Sequence, residues 1–89
     1  MINIRLTENR LEVKGHAGYA EIGKDIVCAA VSVLVFTFLE VNKDKVELDT
    51  FNNDEIAADL KGADTEYLTT GLEFVENEYP GYVQLNIDT

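Results

Sequence analysis

Two side chains here are equipped for nucleophilic chemistry, and each is the sole example of its type: His16 and Cys28. Both fall in residues 15–32, GHAGYAEIGKDIVCAAVS. A thiolate attacks a carbonyl carbon, and an imidazole beside it stabilises the thiolate and then protonates the departing amine. A Cys–His pair within hydrogen-bond reach is therefore the minimal set for acyl transfer. Taken singly the residues say little, because a free cysteine packs as a small hydrophobe and a lone histidine is often a bystander. Their placement has to carry the argument.

Ile2, Ile4 and Leu6 alternate with Asn3, Arg5 and Thr7, and Leu11 and Val13 with Glu12 and Lys14, about the polar turn Glu8-Asn9-Arg10. Period-two patterning predicts a β-hairpin with one buried face, ending just before His16. Asp25 precedes an apolar run and is expected to cap a helix over about residues 26–41, its carboxylate accepting from the backbone NH of Val27 or Cys28. Cys28 then sits in the first helical turn, where free NH groups and the positive end of the helix dipole favour a thiolate, while apolar burial opposes it. The NH groups around Cys28 are also candidates for stabilising an oxyanion. Residues 17–24, punctuated by Gly18 and Gly23, form a loop with room to move and long enough to return His16 to the helix start.

The neighbours each carry two readings. Ser32, one turn beyond Cys28, can hydrogen-bond near the site or to its own helix's carbonyls. Asp25 or Glu21 can orient His16, or serve only as a cap and a solvated charge. Tyr19 can contact substrate or close a lid. No metal is expected, since His16 and Cys28 supply two of zinc's usual three or four ligands. The glycines match neither the dinucleotide nor the P-loop spacing, so no phosphate site or other cofactor is assigned.

Beyond the helix, Val46, Leu48 and Phe51 define an apolar strand face, and Ile56, Ala58 and Leu60 a second one across the turn Asn52-Asn53-Asp54. Asp64 or Thr65 can cap a second helix with Tyr67, Leu68, Gly71, Leu72, Val75 and Tyr79 at helical spacing, Gly71 allowing close packing. Pro80 and Gly81 end it, and Val83, Leu85 and Ile87 form a last strand. The order ββαββαβ predicts a two-layer α+β fold, a largely antiparallel sheet with two helices, in a single domain over residues 1–89. Phe36, Phe38, Tyr67, Phe74 and Tyr79 are read as core before any binding role. The first helix is apolar almost all round and needs cover that so short a chain can scarcely supply, so a homodimer is expected.

Seventeen acidic against seven basic residues give a formal charge of −10. That opposes binding to nucleic acid or an anionic membrane and favours a basic partner. A lone cysteine gains nothing from an oxidising compartment, no secretory signal opens the chain, and the apolar run of residues 26–39 falls short of the roughly 20 residues of a membrane span. A cytoplasmic location is expected.

The motif GHAG, followed by GKDIVCAAVS, resembles the signature of the ribosomal-processing cysteine protease family, Prp, and the likeness extends through the preceding hairpin and the EYPGYV segment of residues 78–83. The resemblance implies a catalytic pair at His16 and Cys28, supporting roles for Asp25 and Ser32, and a mobile loop containing Gly18, Tyr19 and Gly23. It further implies a cytoplasmic homodimer that removes an N-terminal extension of large-subunit ribosomal protein L twenty-seven after a pair of aromatic residues. Two alternatives stand beside it: a non-catalytic acidic module for ribosome assembly or protein binding, and a phage-encoded relative that processes a phage structural protein.

Overall fold

The computed structural model describes residues 1–21 and 23–88. In chain order the elements are β1 (Ile2–Leu6), β2 (Arg10–Lys14), α1 (Ile26–Val41), β3 (Glu47–Phe51), β4 (Glu55–Asp59), α2 (Glu66–Glu78) and β5 (Val83–Ile87). The ββαββαβ order read from the sequence is the observed one.

Five strands form one sheet in the order β3-β4-β2-β1-β5, antiparallel except for the parallel β1–β5 pair. The hairpin does what its alternation dictates: Ile2, Ile4, Leu6, Leu11 and Val13 face the core. There they meet Val27, Val31, Val35, Phe38 and Leu39 of α1 and Leu68, Leu72 and Val75 of α2. These α1 residues recur three or four apart, so one stripe of the helix is buried. The helices approach closely at Gly71, where an added Cβ would lie 2.6 Å from Leu34 Cδ2.

Two expectations need correction. Val46, Leu48 and Phe51 do not form one buried face. The β3–β4 register shifts between Leu48 and Thr50, which breaks the alternation, and β3 is an edge strand, so Leu48 and Phe51 are exposed. The aromatic residues read as core divide: Phe38 is buried and Tyr79 half-buried, whereas Phe36, Tyr67 and Phe74 are exposed. Helical spacing identifies a shared face but does not say whether that face meets the sheet. The second helix starts at the two residues expected to cap it, which divide the task. Thr65 occupies the cap position without a side-chain bond, and Asp64 Oδ1 accepts from Glu66 N at 3.0 Å.

Exposed apolar residues concentrate on the outer side of the helical layer. Ile26, Val33 and Val41 of α1 lie open there with Tyr67 and Phe74 of α2, around grooves between the two helices. No helix among the described residues is long and apolar enough to cross a membrane.

Candidate active site

Asp25 organises the junction of loop and helix. Its Oδ1 accepts from Val27 N and Cys28 N, both at 3.0 Å, which caps α1. Its Oδ2 turns the other way and accepts from Tyr19 N at 2.9 Å and Ala20 N at 3.4 Å. One carboxylate thus ties the glycine-rich loop to the start of the helix. Burial pushes its pKa upward, but the NH groups of Cys28, Tyr19 and Ala20, joined by the Cys28 side chain, outweigh that and hold it below its ordinary value.

This arrangement alters the expected electrostatics at Cys28. The helix-start NH groups offered as oxyanion donors are engaged: Val27 N and Cys28 N bond the Asp25 side chain, and Ala29 N bonds Asp25 O at 3.1 Å. The donor that does reach the sulfur comes from the loop, where Ala17 N lies 3.2 Å from Cys28 Sγ. Ala17 is itself buried, with its methyl group in the core, so this NH is rigidly aimed.

His16 is held on both sides. Behind it Gly15 has φ +89°, and a Cβ there would come within 2.7 Å of Met1 O, so both backbone conformation and space demand glycine. Ahead of it is the buried Ala17. The strand end therefore delivers the imidazole to a cavity of about 230 Å³ shared with Cys28, Ser32, Phe36, Phe51 and Asp54. That is smaller than a typical small-molecule site of roughly 300–1,000 Å³, and suits one or two side chains of a longer substrate.

The ring's hydrogen-bond partner is one that sequence reasoning missed. His16 Nε2 lies 3.0 Å from Asp54 Oδ1, in the turn between β3 and β4. The two carboxylates considered for this role are occupied elsewhere, Asp25 with loop and helix NH groups and Glu21 in an ion pair with Lys24 at 3.0 Å. No hydrogen bond joins the imidazole to Cys28 Sγ among the described residues; the two groups share the cavity. Ser32 lines it one turn beyond Cys28 and makes no side-chain hydrogen bond among the described residues, so neither of its expected partners is engaged.

Tyr19 packs edge-on against Tyr79 and Tyr82, with ring centroids 5.6 and 5.1 Å away. This docks the loop on the segment that follows α2. Gly18 and Gly23 take left-handed backbone conformations in open surroundings, and so serve as bends in the chain. Among the described residues, no group of three or more His, Cys, Asp or Glu is placed to hold a metal ion.

A cysteine and a histidine sharing one cleft on an α+β scaffold mark the class as a thiol-dependent hydrolase. The family model for the cysteine protease Prp matches residues 1–84, and the chain belongs to that family of cysteine proteases. It is similar to the ribosomal processing cysteine protease Prp of Mycoplasma genitalium, with 37% identity over 95 residues, 97% of this chain and 95% of the relative. The Mycoplasma pneumoniae protein of the same name is 42% identical over 52 residues, 55% of this chain and 52% of that one. The fold also resembles the ribosomal processing protease Prp of S. aureus, solved with a covalently linked product peptide. There the TM-score is 0.88 at 21% identity, covering 99% of this chain and all of that one. A Streptococcus mutans structure matches with a TM-score of 0.65 at 28% identity, covering 97% of this chain and 90% of its own.

Proposed function

We propose that residues 1–89 form one catalytic domain that removes an N-terminal extension from a ribosomal protein precursor of the L twenty-seven type, with Cys28 as nucleophile and His16 as acid and base. The observation that carries this reading is the convergence of both side chains on one cavity, with Ala17 N directed at the sulfur. The names of the Mycoplasma relatives support the ribosomal substrate.

The chemistry follows from those positions. The Cys28 thiol gives its proton to the His16 imidazole, and the resulting thiolate is stabilised by the Ala17 NH. Sulfur attacks the scissile carbonyl, and the C–N bond breaks as the amine takes the proton back from His16. The thioester left on Cys28 is then hydrolysed by a water that His16 deprotonates. His16 and Cys28 line the same cavity, and a small approach of the sulfur and the imidazole on substrate binding, with Nε2 still bonded to Asp54, completes these transfers. Catalytic hydrogen bonds commonly tighten only with substrate in place.

Phe36 and Phe51, with ring centroids 5.6 Å apart, line the cavity and suit an aromatic residue next to the scissile bond. Asp54 and Glu55 add an acidic edge that favours a basic precursor in the cytoplasm. The open apolar face around Val33 and Phe74 supports a homodimer.

The test is cleavage of a peptide carrying the aromatic-rich extension. Wild-type protein should cut after the aromatic pair, and Cys28→Ala and His16→Ala should not. Failure of wild-type protein to cut would remove the substrate assignment, and cutting by Cys28→Ala would remove the nucleophile. In sedimentation, wild-type protein should run as a dimer and Val33→Asp/Phe74→Asp as a monomer.

A further inference from the structure

We infer that Asp54 is the positioning residue of the protease site: its carboxylate fixes the His16 ring with hydrogen on Nε2, leaving Nδ1 to exchange a proton with Cys28. This rests on the reading of His16 and Cys28 as the catalytic pair. A carboxylate only accepts, so at 3.0 Å from Asp54 Oδ1 the Nε2 atom must be the donor. A neutral imidazole carries one hydrogen, and Nδ1 then has the free lone pair.

The carboxylate is aimed by its own backbone. Asp54 N and Glu55 N donate to Asn52 Oδ1 at 2.8 and 2.9 Å, which closes the turn between β3 and β4. Gly15 N donates to Asp54 O at 3.0 Å, so the turn is bonded to the residue preceding His16. Acid and imidazole are thereby carried on one hydrogen-bonded unit, although they lie 38 positions apart in sequence. Both side chains are open to water, 59% exposed for His16 and 84% for Asp54, and an exposed pair holds its geometry weakly on its own. The backbone bonds supply the rigidity.

His16 is the only histidine, so its ring nitrogens can be observed by 15N NMR without assignment. At a pH where the ring is neutral, wild-type protein should show the Nε2–H tautomer as the dominant form, and Asp54→Ala a mixture of both. In peptide cleavage, kcat of Asp54→Ala should fall about tenfold, well short of the roughly 10⁴ associated with a buried triad carboxylate. KM should stay within about twofold, because the lost interaction orients the base and does not hold substrate. Asp54→Glu should recover part of kcat. Asn52→Ala, which keeps the carboxylate but loosens its turn, should show a smaller loss with the same tautomer shift.

An Nδ1–H tautomer in wild-type protein would overturn the proposal. So would an unchanged kcat in Asp54→Ala alongside inactive Cys28→Ala and His16→Ala, an outcome that leaves the catalytic pair intact. Activity retained in Cys28→Ala and His16→Ala would overturn the pair itself, and the role of Asp54 with it.

Discussion

Replacing Asp25 by asparagine should separate the two tasks of its carboxylate. Oδ1 caps the helix through Val27 N and Cys28 N, while Oδ2 holds the loop through Tyr19 N and Ala20 N. Asparagine retains one carbonyl oxygen, which can still cap, but turns its NH2 toward two loop NH groups that it cannot accept from. Asp25→Asn should therefore stay within about 0.5 kcal/mol of wild type in helix capping, asparagine being among the best caps. Asp25→Ala loses the cap, worth about 1 kcal/mol, and both loop bonds, worth about 1 kcal/mol more. For a domain of this size about 2 kcal/mol lowers Tm by roughly 10 °C. The decisive assay is amide hydrogen exchange read at Tyr19 and Ala20. Both should be protected in wild type and lose protection in Asp25→Asn, with peptide cleavage falling as the loop leaves the helix start. Unchanged exchange at these two amides in Asp25→Asn would refute the tether. Acid supplies a second check. Because the folded state holds the Asp25 pKa below its ordinary value, its contribution is complete above the unfolded carboxylate range near 4 and is lost as pH falls through the folded value. The stability gap between wild type and Asp25→Ala should accordingly be constant near neutrality and close only in strong acid.

Gly15→Ala should cut peptide cleavage more than tenfold by moving His16, since its Cβ would meet Met1 O at 2.7 Å with φ at +89°, and should cost about 2 kcal/mol in urea unfolding. At the helix contact, Gly71→Ala should cost less than about 1 kcal/mol: the end of Leu34 can swing toward the open groove, and alanine favours the helix by nearly as much as the displacement costs. Gly71→Val, whose branched Cβ pushes both ways, should cost about 2–3 kcal/mol by the same measurement. Tyr19→Ala removes two edge-on aromatic contacts, each worth about 0.5–1.5 kcal/mol, and should raise the rate of limited proteolysis within the loop while leaving global Tm nearly unchanged.

The parts of this molecule legible from sequence are those set by neighbours along the chain. The alternation from Ile2 to Val13 determines which hairpin residues are buried, and the position of Asp25 before an apolar run specifies the cap on Cys28. What patterning cannot supply is which faces find cover. Leu48 and Phe51 carry strand-like apolar character on an edge strand, where Phe51 meets only the half-open Phe36 of α1 and both stay exposed. Tyr67 and Phe74 share helical spacing with buried neighbours and yet point outward. The commitment of the first helical NH groups to Asp25 follows from the cap itself, whereas the aim of Ala17 N at the sulfur depends on how the loop folds back.

The contact between His16 and Asp54 depends on strand order, for which neither residue carries a local signal. It arises because β4 pairs with β2 in the register Arg10↔Asp59, Glu12↔Ala57 and Lys14↔Glu55. A slip by one residue would turn the apolar face outward, so burial of Leu11, Val13, Ile56 and Ala58 excludes it. A slip by two preserves that face and is excluded differently. In one direction Glu12 would stand opposite Asp59 and Arg10 opposite Lys61; in the other, Glu12 would stand opposite Glu55. Both oppose like charges, whereas the observed register sets Arg10 and Lys14 against carboxylates, Lys14 Nζ lying 3.7 Å from Glu55. Each such pair is exposed and weak alone. Their joint effect is to choose among registers that hydrophobic burial leaves equal. The register chosen sets the turn carrying Asp54 just past the end of β2, where Gly15 N, one residue before His16, bonds Asp54 O.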